Sequence, residues 1–242
     1  MDCLKDCLQI NGQQVISLIG SGGKTSLMWY LAECYRKERV LVSTTTKIGY
    51  PAPACYDYFY SEQFDQLGTD GPGITVAGRF TKEHTKLRIP PAVFRSLFAK
   101  FDKVLLEADG SKQLPLKGWE TFEPVIIPET TITIGLMPIA VLGKTISSAT
   151  VHRLPLFLRS TDTKAGQIIL EETLANIIAS PVGLWAKSRG QRILCLNQVE
   201  TASQLLQART VASLLPHSLL TRLSKVIACN IQTQEGVILW ER

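Results

Sequence analysis

The chain has 242 residues, 45% of them hydrophobic, and a formal net charge of +5. That apolar share excludes a disordered or low-complexity protein and suffices for one large α/β domain. The basic excess is spread out, with no Lys/Arg block and no aromatic–basic alternation, so no nucleic-acid partner is expected.

In chain order, the N-terminus lacks the apolar core of a secretory signal, and no later apolar run reaches membrane-span length. A cytoplasmic chain without membrane contact is therefore expected. Cys3 and Cys7 have a spacing that fits one helix face, but four zinc ligands are not gathered anywhere in the sequence. Short apolar runs at 15–19 (VISLI), 40–43 (VLVS), 104–107 (VLLE), 131–137 (TITIGLM), 193–197 (ILCLN) and 225–229 (KVIAC) read as buried strands. Helical stripes fall between them: Leu27, Leu31 and Cys34; Leu170, Leu174, Ile177 and Ile178; Leu205, Ala208, Ala212 and Leu215. Cys34 and Cys195 lie within these apolar segments and read as buried, reduced thiols. Residues 50–92 read as a β-rich insert, with 73–80 as a strand of a hairpin-like unit. Residues 111–165, rich in proline, read as an ordered loop region beside a site. The alternation predicts a single domain over 1–242, a three-layer P-loop NTPase-like α/β fold with a mostly parallel sheet and helices on both faces.

The stretch Gly20-Ser21-Gly22-Gly23-Lys24-Thr25-Ser26 follows the first of these strands and opens the first helix. Glycines let backbone N–H groups approach a phosphate where a side chain would collide, and a helix N-terminus adds unpaired donors. Lys24 is the candidate for the β- and γ-phosphate oxygens, and the Thr25 hydroxyl for Mg²⁺. The usual loop has two more residues and begins on a glycine, where this chain has Leu18. The shorter spacing resembles the loop of the Mur-type amide ligases and loses no chemical role.

Other candidates follow. The 104–107 strand ends in Glu107 and Asp109, either of which suits the Mg²⁺ hydration shell or the orientation of water. With Lys24 they form the catalytic set. The run Thr44-Thr45-Thr46 ends the second strand, with Thr45 a further metal candidate and Lys47 a counter-charge for phosphate or substrate; β-propensity accounts for the threonines equally simply. Asn197, Gln198 and Glu200 keep the spacing of a guanine-reading motif, with Gln198 in place of its lysine. The same residues also read as an ordinary helix start. Arg153, next to His152, is suited to a bidentate contact with phosphate or carboxylate.

Taken in order, GSGGKTS, TTTKI, EADGSKQLPLK, EPVIIPETT, VHR and LNQVE resemble the YqeC family of selenium-dependent hydroxylase accessory proteins. The EADGSK segment is the most specific part. The resemblance implies a P-loop protein that binds ATP or GTP with Mg²⁺ and serves the maturation of selenium-dependent molybdenum hydroxylases. It places Gly20 to Ser26 on the phosphates and Glu107 and Asp109 near the metal. It also places Lys112 and Lys117 beside the substrate, and Asn197 to Glu200 near the base. Three activities stay open: an NTP-hydrolysing factor acting on a molybdenum enzyme or its cofactor, a Mur-like ligase, and a nucleotide-gated binding module without turnover.

Overall fold

The computed structural model describes residues 1–242, the Val93 side chain excepted. The chain opens with β1 (Asp2–Cys3), α1 (Leu4–Leu8), β2 (Gln14–Gly20), α2 (Lys24–Cys34) and β3 (Arg39–Thr44). Short strands follow: β4 (Lys47–Gly49), β5 (Tyr58–Tyr60), β6 (Gly73–Ala77), β7 (Arg79–Phe80) and β8 (Lys86–Arg88). Next come β9 (Lys103–Glu107), β10 (Leu116–Lys117), β11 (Ile132–Pro138), β12 (Val151–His152), α3 (Leu154–Thr161) and α4 (Glu171–Ala179). The chain closes with β13 (Gln191–Asn197), α5 (Ala202–Ser213), α6 (His217–Leu220), β14 (Lys225–Asn230) and β15 (Glu235–Glu241).

Ten strands form one sheet in the order β1-β15-β14-β13-β11-β2-β9-β3-β6-β5. The pairings from β14 to β5 are all parallel, and only β15 and β1 pair antiparallel. All six apolar runs read as strands lie side by side in it. Their continuous apolar character has a physical cause, because both faces are covered. Along β13, Ile193 and Cys195 join the core under α1 and α2, whereas Leu194 and Leu196 join the core under α3, α4 and α5. A third cluster, with Leu41, Val104, Leu106, Phe94, Phe98 and Phe101, fills the space under the 3-10 stretch Ala92–Lys100. Each leucine fully buried in these layers contributes about 1.5–3 kcal/mol.

The structure departs from expectation in three places. Residues 73–80 are not one strand of a hairpin. Gly73–Ala77 is buried along its length and pairs parallel with β3, while Arg79–Phe80 leaves for a separate sheet β4-β8-β7. A run that is apolar on both faces is more stable inside a covered sheet than in an exposed hairpin. The 111–165 region contains a helix, α3, with Pro155 in its first turn and Phe157 and Thr161 buried. Its proline is tolerated because a first-turn N–H has no intrahelical partner to lose. Cys34 is only partly buried, and Cys3 is exposed while Cys7 is buried. No helix among the described residues is long and apolar enough to cross a membrane.

Candidate functional site

The register of the central strands assembles the site. Leu18 of β2, Glu107 of β9 and Thr44 of β3 lie level with one another. The carboxyl ends of these three strands therefore meet where β2 turns into α2.

That turn is Gly20 to Gly23. Gly20 and Gly22 have φ of +94° and +72°. A Cβ on Gly20 would lie 2.2 Å from the Leu136 carbonyl oxygen, and one on Gly22 would lie 2.5 Å from Pro138 Cβ. Neither position accepts a side chain, for reasons of both conformation and space. Gly20→Ala is expected to destabilise the protein by more than about 1 kcal/mol, read as a lowered denaturation midpoint; an unchanged midpoint would show that the turn relaxes freely.

The turn is pinned from three directions. Ser21 N–H donates to Leu136 O (3.0 Å), and Ser21 Oγ donates to Pro115 O (2.7 Å). Asn197 Nδ2 donates to Gly22 O (2.7 Å), while Asn197 Oδ1 accepts from Ile231 N (3.2 Å). Gly20 N–H points at both oxygens of Asp109, each at 3.1 Å. The N–H groups of Gly22, Gly23, Lys24, Thr25 and Ser26 have no hydrogen-bond partner among the described residues. They form a row of donors on a fixed frame.

Glu107 and Asp109 differ sharply in what surrounds them. Asp109 is fully buried and saturated: Lys24 Nζ (3.3 Å), Lys117 Nζ (3.2 Å) and Trp119 Nε1 (2.9 Å) join Gly20 N–H on its oxygens. Glu107 accepts only from Thr25 Oγ1 (2.7 Å), through Oε2. Its carbonyl takes Thr44 Oγ1 (2.8 Å) and Thr45 N–H (3.1 Å). Burial pushes the Glu107 carboxyl up from its ordinary value of 4.5, and the nearby Lys24 and the Thr25 hydroxyl offset only part of that. A buried carboxylate with one oxygen unpartnered is a natural neighbour for a cation.

Beyond Asp109 runs a line of alternating charges. Lys117, fully buried, bridges Asp109 to Glu123 (2.9 Å) and donates to Gly110 O (2.7 Å). Arg153 then forks onto both oxygens of Glu123 and approaches Glu120 (3.6 Å). The bidentate capacity expected of Arg153 is thus met inside the chain. Its neighbour His152 has its pKa lowered by burial first and then by Arg153, Lys112 and Lys117.

The structure brings together Gly20 to Ser26, Glu107, Asp109, Thr45, Lys117 and Asn197. Thr45 Oγ1 is committed to Val125 O (2.7 Å), so its backbone rather than its hydroxyl faces Glu107. Lys117 has no exposed surface, Lys47 and Lys112 are exposed, and Glu200 is exposed just ahead of the Thr201 cap of α5. Gln198 is partly buried with φ +65°. Trp119 and Glu120 lie outside every motif of the sequence, and Glu123 opens EPVIIPETT without any role attached to it there; the crowding of an aromatic and two acids just past EADGSK was their signal.

The family model for the YqeC protein matches residues 16–155, more than half of the sequence. The chain belongs to the YqeC family. The matched span holds the loop, both acids, Lys117, Glu123 and Arg153, whereas Asn197 to Glu200 lie outside it. In Escherichia coli (strain K12), the "Uncharacterized protein YqeC" is 29% identical over 179 residues, covering 70% of this chain and 69% of that protein. No cluster of three or more His, Cys, Asp or Glu side chains suited to a metal occurs among the described residues of this YqeC-family chain. A cation at Thr25 and Glu107 would share its shell with water and phosphate oxygens.

Proposed function

We propose that this chain binds a nucleoside triphosphate, ATP or GTP, with Mg²⁺ on the Gly20–Ser26 loop and hydrolyses it. In this reading it is a P-loop NTPase-like accessory factor in the maturation of selenium-dependent molybdenum hydroxylases. The observation that carries the nucleotide reading is the row of five unpaired N–H groups, backed by Lys24 and faced by Thr25 and Glu107. A row of backbone donors at a helix start, with an ammonium beside it, is suited to an anion, and its length suits a polyphosphate. Lys24 Nζ donates to Gly20 O (2.6 Å) and pairs with Asp109 (3.3 Å), which holds the ammonium beside the loop where a phosphate would exchange for these partners. Thr25 and Glu107 are the residues fitted to Mg²⁺, which would neutralise charge on the transferred phosphoryl group. The maturation role rests on the family resemblance alone.

Asp109 is saturated by its own donors, which leaves Glu107 to orient water. This also favours one alternative, a module that binds nucleotide without turnover. Glu107→Gln separates the two. We expect metal-free triphosphate affinity to stay within a few-fold, its tightening by Mg²⁺ to shrink, and phosphate release to fall by about 10²-fold or more. Equal release from both proteins would remove Glu107 from the chemistry, and no release from the wild type would leave only the binding module.

The same variant reports on pH. The folded state holds the Glu107 proton more tightly than the unfolded one, so that contribution is present below the ordinary carboxyl range. It is lost as pH rises through the raised folded value. In the absence of metal, Glu107→Gln should flatten that decline in a series of denaturation curves.

A further inference from the structure

The small sheet β4-β8-β7 places like charges directly opposite one another. Lys47 pairs with Arg88 across β4 and β8, and Arg79 pairs with the same Arg88 across β7 and β8. Opposite residues of antiparallel strands share a face, with backbones about 5 Å apart. Lys86, opposite Gly49, lies on that face too. The other face carries Ile48 and Leu87, both in the core, so the charged face is turned to solvent. Lys47, Arg79, Lys86 and Arg88 are all exposed, and none has a carboxylate within ion-pair distance among the described residues.

Like charges directly opposite in a sheet are destabilising, and burial does not force these residues together. The geometry points to this face as the docking surface for an acidic polypeptide segment of a partner protein. A small anion needs donors converging from several sides of a pocket. Here the cations stand in a row on an open sheet, which matches charge spread along an extended chain. Nucleic acid is the other polyanion of that shape, but single strands are held largely by stacking on free aromatic faces. The rings beside this sheet are engaged with each other. Tyr50 packs on Phe80 (5.2 Å) and Phe59 (5.4 Å), and its hydroxyl meets that of Tyr56 (3.2 Å). The inference does not depend on nucleotide binding at the loop.

The test is fluorescence anisotropy with a labelled oligo-glutamate peptide and an oligothymidylate of equal charge. The wild type is expected to bind the peptide more tightly than the oligonucleotide. Arg79→Glu/Arg88→Glu should weaken peptide binding by about 10-fold or more. The control Arg209→Glu/Arg222→Glu, two exposed arginines on α5 and just after α6, should leave it unchanged. Arg88→Glu alone, placed between two cations, should also raise the melting temperature by about 1–3 °C. Tighter binding of the oligonucleotide, equal losses in the control, or no peptide binding by the wild type would each overturn the proposal.

Discussion

Replacing Lys24 by alanine is expected to weaken triphosphate binding by about 10²-fold or more while leaving the fold in place. The ammonium is 5% exposed and sits between Gly20 O at 2.6 Å and Asp109 at 3.3 Å, at the start of α2. Removing one member of a buried, hydrogen-bonded charge pair commonly costs about 2–5 kcal/mol in binding, which is a factor of about 30 to several thousand. The fold should survive because Asp109 keeps Lys117, Trp119 and Gly20 N–H. Loss of affinity with a near-normal denaturation midpoint is therefore the expected pair of results. Undiminished affinity would mean that the loop does not hold phosphate through this lysine.

The second large effect concerns stability. Asp109→Ala should destabilise the protein by about 3–5 kcal/mol, because it leaves Lys117 buried with one carboxylate partner fewer. Lys117 has no exposed surface, and Glu123, its remaining partner, is already forked by Arg153. Gly20 N–H and Trp119 Nε1 would lose their acceptor at the same time. Asp109→Asn, which keeps one acceptor oxygen, should cost less. Urea denaturation of the two variants measures both. A loss under about 1 kcal/mol for the alanine variant would show that the charge line is not a structural element.

The contrast between these two residues shows what the sequence made legible. Strand, glycines, Lys24 and helix occur in linear order, so the loop could be read directly, as could the six parallel strands whose two covered faces leave continuous apolar runs. Glu107 and Asp109 are two residues apart at one strand end and looked interchangeable. Their separation depends on Lys117 of β10 and on Trp119 just after it, and on a glycine N–H from β2. Asn197 is a similar case. It suited a base-reading motif by spacing, yet Gly22 O and Ile231 N take both ends of its amide. The edge strands were hidden for a different reason. β15, Glu235–Glu241, carries the apolar run Val237 to Trp240, but these residues are only partly buried and the strand pairs antiparallel at the margin of the sheet, so the covered, parallel pattern of the central strands did not point to it. Lys47 stood out as a lone candidate cation. Only the register of β4, β8 and β7 shows that Arg79 and Arg88 complete its row.

Everything proposed for the Gly20–Ser26 loop rests on its binding a nucleoside triphosphate with Mg²⁺. Calorimetric titration of the purified wild type with ATP, and separately with GTP, with and without Mg²⁺, tests it most directly. Saturable binding of at least one triphosphate, tightened by Mg²⁺ and weakened about 10²-fold or more in Lys24→Ala, is the expected result. Absence of saturable binding for both nucleotides in the presence of Mg²⁺ would contradict it.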